Sequence, residues 1–489
     1  MENRVTLTNM ATGLALQLCL IVNGLILPRL ILRCFGSETN GLVASINQFL
    51  SYFVLAEGGF TAVVSAGLYK PLVRRDNAAL SAVLVTARRF YSRIGCIFVL
   101  YILVLIVFYP LASDLDLGYT APLIAILGLS GLIRYVPAFT YQVLLFADKK
   151  RYVVSLAQSL ITVLGIVLSC LSVRIYPSIY FLTAVQAVPL FIQPLVYRHY
   201  VRRHYAIDWR SMPVENLLAQ RWNGLAINLA TVIHNSTDVV ILTLLTDLRT
   251  VSVYSVYALA TAGTKALVLS LTDGISSVIG LAYARGVRAE MEEKMDLYEY
   301  TIFLLTFMIF TVGSLLITPF VLLYTQGVTD ASYNQPFFGI LLVSAESLYL
   351  FARPQMDLAY CANRFKDISK PACIEAAINL TLSLILIKPL GLIGVAVGTA
   401  AAMLYHLVFY VSYTKKLIPG RKPIRYYGRL GLFLSATFLG VPLCLYLFPF
   451  SGNTVSAWLL HAVVYCAILG AIYAVLSLLV FRKELRYFV

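Results

Sequence analysis

Runs of about 20 predominantly apolar residues recur along the whole chain, with short polar stretches between them. Because a helix of about 20 apolar residues spans the hydrocarbon core of a bilayer, the pattern predicts an all-α integral membrane protein with about fourteen transmembrane helices. The predicted spans are Asn9 to Leu32, Thr39 to Leu68, Tyr91 to Leu111, Tyr119 to Phe146, Tyr152 to Val173, Pro177 to Tyr197, Leu217 to Thr246, Thr250 to Tyr283, Tyr298 to Tyr324, Ser332 to Cys361, Pro371 to Ile387, Leu390 to Tyr413, Tyr427 to Phe448 and Val455 to Phe481.

The predicted seventh helix carries a row of polar side chains along one face. At about 100° per residue, they fall within a sector of roughly 140°. These residues are Asn223, Asn228, Thr231, His234, Asn235 and Asp238. They could form hydrogen bonds with neighbouring helices, or they could face water or a ligand. Asp238 favours the second interpretation, because an intramembrane carboxylate usually faces a bundle interior or an aqueous cavity.

Composition supports a membrane protein and excludes a soluble multidomain one. Of the 489 residues, 60% are hydrophobic and 12% are charged, whereas a soluble chain has about twice that charged fraction. The formal net charge is +15, and assigning the loops alternately to two sides places roughly 30 bases on one side and about 5 on the other. This asymmetry indicates a multi-pass protein with both termini in the cytoplasm, and no nucleic-acid partner is expected.

One stretch of the base-rich side has its own pattern. Between Leu68 and Phe90, apolar residues are interrupted by bases such as Arg88 and Arg89. This amphipathic composition predicts a helix that lies in the cytoplasmic interface of the membrane.

Several charged residues lie within predicted spans. Arg134, Lys265 and Arg353 fall near the middle of the bilayer by residue count, while Glu57 and Asp238 are intramembrane acids. Each base could belong to a structural ion pair, for which the spacing of Arg353 and Asp357 is suitable. Together, however, the three bases predict a cationic cavity, in which guanidinium and ammonium groups could bind a phosphate or pyrophosphate.

Motifs for catalysis or metal binding are absent or unconvincing. No phosphate-binding Walker loop, zinc-protease motif or nucleophile elbow occurs. The eight cysteines have no paired spacing and lie mostly within apolar runs. We therefore expect no catalytic residue, no metal site and no enzyme activity.

A weak internal repeat suggests how the helices are grouped. The second helix reads GLVASINQFLSYFVLAEGG, and the eighth reads VYSVYALATAGTKALVLSLTDG, each ending in an acid followed by glycine. Two halves with an even number of helices have the same orientation. The predicted division is residues 1–210 for helices one to six, 211–418 for helices seven to twelve, and 419–489 for a C-terminal helix pair.

Three segments resemble one known family, the polysaccharide flippases. They are FGSETNGLVASINQFLSYFVLAEGG at Phe35 to Gly59, LYKPL followed by Asp76, and HNSTDVVILTLL followed by VSVYSVYALA. These flippases, which export O-antigen and capsular repeat units, belong to the multidrug/oligosaccharidyl-lipid/polysaccharide (MOP) exporter superfamily.

The resemblance implies two six-helix lobes in a V-shaped arrangement, plus two C-terminal helices, alternating between inward-open and outward-open states. The implied substrate is an undecaprenyl-pyrophosphate-linked oligosaccharide that crosses the cytoplasmic (inner) membrane. Membrane lipids, and polysaccharide polymerase or chain-length machinery, are the other implied partners. Our hypothesis is that Arg134, Lys265 and Arg353 bind the pyrophosphate, that Asn228, His234 and Asn235 contact sugar or water, and that Glu57 or Asp238 couples transport to H⁺ or Na⁺. No other cofactor is expected.

Two alternatives remain open on the sequence alone. A cation-coupled multidrug exporter would share the architecture, but its cavity should favour acids and aromatic residues over bases. A membrane-embedded polysaccharide polymerase or ligase should have a large outer loop with Arg or His, and the predicted outer loops are short.

Overall fold

The chain is described by a computed structural model that covers residues 2–53, 60–112, 115–133, 138–214 and 237–485. Within these ranges the regular structure is helical throughout, with short turns between helices. Eleven helices in the described part are long and apolar enough to cross a membrane. The protein is therefore a multi-pass, all-α membrane protein, as the apolar pattern predicted.

The described chain divides into two compact units. The first contains Met1–Val232 and Leu242–Ser252, and the second contains Ile233–Ile241 and Val253–Val489. The helices of the first unit are α1 (Glu2–Ser51), α2 (Phe60–Arg74), α3 (Asn77–Ala112), α4 (Leu117–Ile133), α5 (Phe139–Ala147), α6 (Arg151–Ile175), α7 (Ile179–Ala187) and α8 (Ile192–His204), with a short 3₁₀ helix at Val188–Phe191.

Longer helices make up the second unit. They are α9 (Leu248–Arg285), whose first turn belongs to the first unit, α10 (Arg288–Tyr324), α11 (Pro336–Cys361), α12 (Phe365–Leu390), α13 (Leu392–Leu417), α14 (Pro423–Leu447), α15 (Val455–Val480) and α16 (Arg482–Leu485). Only residues 237–245 of the predicted seventh span are described as helix. Most of that span lies outside the described residues, so the total of fourteen stays a prediction.

The predicted interfacial helix between Leu68 and Phe90 is not present as a separate element. Helix α2 ends at Arg74, and α3 continues from Asn77 to Ala112 without a break. Asp76 begins α3, because its Oδ1 accepts a hydrogen bond of 2.9 Å from the backbone N–H of Ala79. The apolar side chains that suggested an interfacial helix, including Leu84 and Ala87, are instead buried in the core.

Close packing in the first unit depends on small and polar residues of α1. Gly36, with a φ of 83°, interrupts the helical geometry inside α1. Ser45 hydrogen-bonds to the Tyr109 hydroxyl and to the Thr243 hydroxyl, each at 2.7 Å. Gly41 lies directly against the main-chain carbonyl of Leu248. A small residue at this position therefore allows two backbones to approach each other, as is common in membrane proteins.

Replacing Gly41 with alanine should destabilise the first unit. The added Cβ would overlap the Leu248 carbonyl, which is backbone and cannot rotate away. Overpacking of this kind costs about 1–3 kcal/mol of unfolding free energy. The check is the melting temperature in detergent, with Gly13→Ala as the matched control, because a Cβ at Gly13 on the same helix meets nothing within 4 Å. Equal melting temperatures for the two variants would contradict the packing described here.

The C-terminal helices are joined to α10 by a buried ionic network. Asp296 and Glu299 on α10 pair with Arg421, at 2.7 and 2.8 Å, and Arg429 on α14 pairs with Asp296 at 3.1 Å. Arg429 also contacts Glu484 of α16 at 2.8 Å. Burial alone would lower the pKa of Arg421, but Glu299 and Asp296 outweigh this effect and raise it. The network therefore holds α14 and α16 on α10 through charges that depend on one another.

Candidate functional site

One face of α11 presents a row of polar and charged side chains inside an apolar helix. Glu346, Tyr349, Arg353 and Asp357 follow one another at spacings of three or four residues, which places them along a single face. Pro354 lies within the helix beside Arg353. A proline removes one helical hydrogen bond and favours a local bend at this face.

At one end of this row, Lys265 of α9 contacts Glu346. The distance from Lys265 Nζ to Glu346 Oε2 is 2.8 Å, and the ammonium lies 3.9 Å from the centre of the Tyr349 ring. The Lys265 side chain keeps 18% of its surface exposed. A base that is partly accessible, neutralised by one acid and placed over an aromatic face can exchange that acid for another anion.

The other end of the row is the pair formed by Arg353 and Asp357. Arg353 Nε lies 3.0 Å from Asp357 Oδ1, and the Tyr298 hydroxyl donates a 2.8 Å hydrogen bond to Asp357 Oδ2. Asp357 is buried, whereas 23% of the Arg353 side chain is exposed. Tyr349 precedes Arg353 by one turn on the same helix and interacts with it electrostatically, so Tyr349 lies beside both bases. Asp357 therefore orients a guanidinium whose remaining N–H groups can bind a ligand.

Asp238 is buried in the second unit among neutral donors. Its Oδ2 accepts hydrogen bonds from the hydroxyls of Tyr254 and Thr399, both at 2.9 Å, and Asn379 donates to the Thr399 hydroxyl at 3.0 Å. Its Oδ1 is buried, and among the residues that the structure describes no group donates a hydrogen bond to Oδ1 and no base forms an ion pair with Asp238. A carboxylate in this setting is costly to keep charged unless a proton or a cation joins it.

A further ionisable pair was not predicted. His406 Nδ1 lies 2.7 Å from Glu375 Oε2, and the His406 ring is 5.6 Å from the Tyr349 ring. His406 Nε2 is buried and has no hydrogen-bond partner within the described ranges. The signal in the sequence was one acid and one histidine, each isolated in an apolar run, on the predicted eleventh and twelfth helices.

The structure describes three of the eight predicted site residues. Lys265, Arg353 and Asp238 all lie in the second unit, and Lys265 and Arg353 are brought together on either side of Tyr349. The other five, Arg134, Glu57, Asn228, His234 and Asn235, lie outside the described residues. In the part of the chain that the structure describes, no three His, Cys, Asp or Glu side chains converge as a metal site.

Comparison with known proteins identifies the fold. No protein-family model matches the chain, and no curated protein matches it by sequence. Solved structures do match, and the chain shares its fold with a lipid II flippase and with multidrug transporters.

One of these structures is the lipid II flippase MurJ in an inward closed conformation, which matches with a TM-score of 0.73 at 14% identity over 95% of this chain and 98% of that one. A multidrug resistance MATE family transporter of the MOP superfamily, in an inward-facing conformation, matches with a TM-score of 0.64 at 15% identity over 85% of this chain and 99% of that one. The MATE multidrug transporter DinF-BH matches with a TM-score of 0.63 at 12% identity over 84% of this chain and 96% of that one.

Proposed function

We propose that this protein is a flippase that moves undecaprenyl-pyrophosphate-linked oligosaccharide repeat units across the cytoplasmic membrane, for synthesis of a cell-surface polysaccharide such as O-antigen or capsule. The observation that carries the proposal is the pair of partly exposed bases, Lys265 and Arg353, that lie beside Tyr349 inside a membrane-embedded bundle. A pyrophosphate is an anion that such bases bind well. The similarity in fold to a lipid II flippase supports a lipid-linked cargo.

Binding would proceed by exchange of anions at the two bases. In the structure, Glu346 neutralises Lys265 and Asp357 neutralises Arg353. Pyrophosphate oxygens would displace Glu346 from Lys265 and occupy the guanidinium N–H groups that Asp357 leaves open. Arg134 is proposed as the third base, and Asn228, His234 and Asn235 are proposed to contact the sugar or water. No covalent step is involved, so no catalytic residue is proposed.

The two lobes would alternate between inward-open and outward-open states around this site. We assign residues 1–210 to one lobe, 211–418 to the other and 419–489 to a C-terminal helix pair, fourteen helices in all, with both termini in the cytoplasm. A polysaccharide polymerase or chain-length regulator would receive the flipped product.

Ion coupling is proposed to occur at Asp238 or Glu57. Asp238 supports this role because its Oδ1 is buried, accepts no hydrogen bond from any described residue, and could take up a proton or help to bind Na⁺. Moving one charge through 100 mV supplies about 2.3 kcal/mol, which is enough to bias two states of a transporter.

Asp238→Asn should uncouple transport from the ion gradient while leaving cargo binding within about threefold of wild type. The amide oxygen of the variant can still accept hydrogen bonds from the hydroxyls of Tyr254 and Thr399, so the fold should be retained. The measurement is the flipping rate in proteoliposomes with and without an imposed H⁺ or Na⁺ gradient. If the gradient raises the flipping rate of the variant as much as that of wild type, Asp238 does not couple transport to the ion.

A cation-coupled multidrug exporter is the second candidate, and its support is the similarity in fold to two multidrug transporters. Native mass spectrometry of the purified protein distinguishes the two candidates by comparing undecaprenyl pyrophosphate with a lipophilic cationic dye. We expect undecaprenyl pyrophosphate to stay bound to the protein and to be displaced when inorganic pyrophosphate is added in excess. Saturable binding of the dye alone would favour the exporter.

A further inference from the structure

A cationic cavity lies in the first unit, and none of the residues that line it has a role in the cargo or ion site proposed above. It has a volume of about 320 Å³ and is lined by residues of α3, α5 and α8 and by the segment after α8. Its charged and aromatic lining consists of Arg88, Arg198, Arg202, Tyr141 and Trp209. All of these residues belong to segments on the base-rich side of the membrane according to the distribution of charge.

In the described part of the chain, the three arginines do not neutralise acids. Arg198 and Arg202 lie one turn apart on α8, and Arg88 lies 5.2 Å from the centre of the Trp209 ring. Within the described chain, none of the three forms an ion pair with a carboxylate. The nearest acid in sequence, Asp208, accepts a hydrogen bond from the backbone N–H of Arg210. Three guanidinium groups around one cavity, with no carboxylate paired to them in the described ranges, form a site for an anion.

Thr140 provides an independent indication of a ligand. Thr140 lines the cavity, 3% of its surface is exposed, and its hydroxyl has no hydrogen-bond partner among the residues that the structure describes. A buried hydroxyl without a partner costs free energy, and such groups in native proteins are usually satisfied. An oxygen of a bound anion would accept this hydrogen bond.

The rim of the cavity indicates where the anion comes from. Leu195 also lines the cavity, and 62% of its surface is exposed. It lies on α8 one turn before Arg198, among other exposed apolar residues such as Phe191 and Ile192. An exposed apolar helix face in a membrane protein contacts lipid chains. The cavity thus joins an arginine cluster to a lipid-facing surface.

We propose that this cavity binds the phosphate headgroup of an anionic phospholipid, with its acyl chains along Leu195. Basic pockets between membrane helices hold anionic headgroups by this combination of charge and apolar contact. The site would tie the first unit to anionic lipid, and it shares no residue with the proposed cargo site.

The test is lipid titration of the purified full-length protein by native mass spectrometry, with phosphatidylglycerol, cardiolipin and zwitterionic phosphatidylcholine as probes. The double variant Arg198→Ala/Arg202→Ala should lose anionic lipid affinity by at least about tenfold. Thr140→Val should lower it by a smaller factor, because it removes one donor and keeps the shape. Arg203→Ala is the matched control, since Arg203 is exposed on the same helix and does not line the cavity.

Three results would overturn the proposal. The first is unchanged affinity for the two anionic lipids in the double variant, and the second is an equal loss of that affinity in Arg203→Ala. The third is binding of inorganic phosphate that anionic lipid does not compete away, which would indicate that the natural ligand is a soluble anion. Melting temperatures without anionic lipid control for folding. None of these results bears on undecaprenyl pyrophosphate binding, so failure here and failure of the flippase proposal are distinguishable.

Discussion

Lys265→Ala should slow flipping of the lipid-linked oligosaccharide by about 10- to 100-fold, because one charge-assisted contact to the pyrophosphate is worth about 1.5–3 kcal/mol. The Lys265 ammonium is partly exposed, lies 2.8 Å from the Glu346 carboxylate and faces the Tyr349 ring. Without the Lys265 ammonium, the pyrophosphate loses one cationic partner, and the unpaired Glu346 carboxylate repels the pyrophosphate. The check is the initial flipping rate in proteoliposomes together with headgroup affinity.

A double variant separates a binding role from a structural one. If Lys265 served only to neutralise Glu346, Lys265→Ala/Glu346→Gln would restore transport along with stability. If Lys265 binds the pyrophosphate, the double variant should regain its melting temperature and stay slow. Lys416→Ala is the matched control, because Lys416 is also a base near a tyrosine ring, 5.6 Å from that of Tyr413, but lies exposed at the end of α13.

Arg421→Ala should lower the unfolding free energy by about 3–5 kcal/mol, because it removes the nearest charged partner of a buried carboxylate, Glu299, and leaves it only a longer contact of 3.7 Å with Arg429. Glu299 is 1% exposed and lies 2.8 Å from Arg421. Gln355 donates a hydrogen bond of 2.7 Å to Glu299 Oε1 but brings no charge. The measurement is thermal and denaturant unfolding in detergent micelles, and loss of the C-terminal helix pair from α10 should accompany it.

Arg425→Ala is the control, because both arginines contact Asp296 with nearly equal geometry. Arg425 lies 2.8 Å from Asp296, but 60% of its side chain is exposed. An exposed ion pair contributes about 1 kcal/mol or less, so this variant should be close to wild type. Similar losses for Arg421→Ala and Arg425→Ala would mean that burial does not set the energy of this network.

The sequence predicted the class of structure because the length of each apolar run can be read from neighbouring residues alone. Runs of apolar residues are sufficient to indicate a multi-pass helical protein. The spacing of Arg353 and Asp357 was sufficient to suggest an ion pair between them, which was the alternative to ligand binding by Arg353. The bases at Lys265 and Arg353 were found by their depth in predicted spans.

Contacts between distant segments could not be predicted in the same way. The Lys265 and Glu346 pair joins residues 81 positions apart, and helical periodicity carries no information about which helices become neighbours. The same reason explains why Glu375 and His406 were missed. The prediction of an interfacial helix at Leu68 to Phe90 was wrong. An amphipathic pattern cannot distinguish a helix whose apolar face contacts lipid from a helix whose apolar face packs in the protein core.

The most direct test of the flippase proposal is flipping of fluorescent undecaprenyl-pyrophosphate oligosaccharide in proteoliposomes, measured as the fraction of label reached by a membrane-impermeant quencher. Purified wild-type protein should bring label from the inner leaflet within reach of the quencher, while empty liposomes should not, and Lys265→Ala should slow the process. Folded wild-type protein that moves no lipid-linked sugar, yet expels a cationic dye along an H⁺ or Na⁺ gradient, would contradict the proposal.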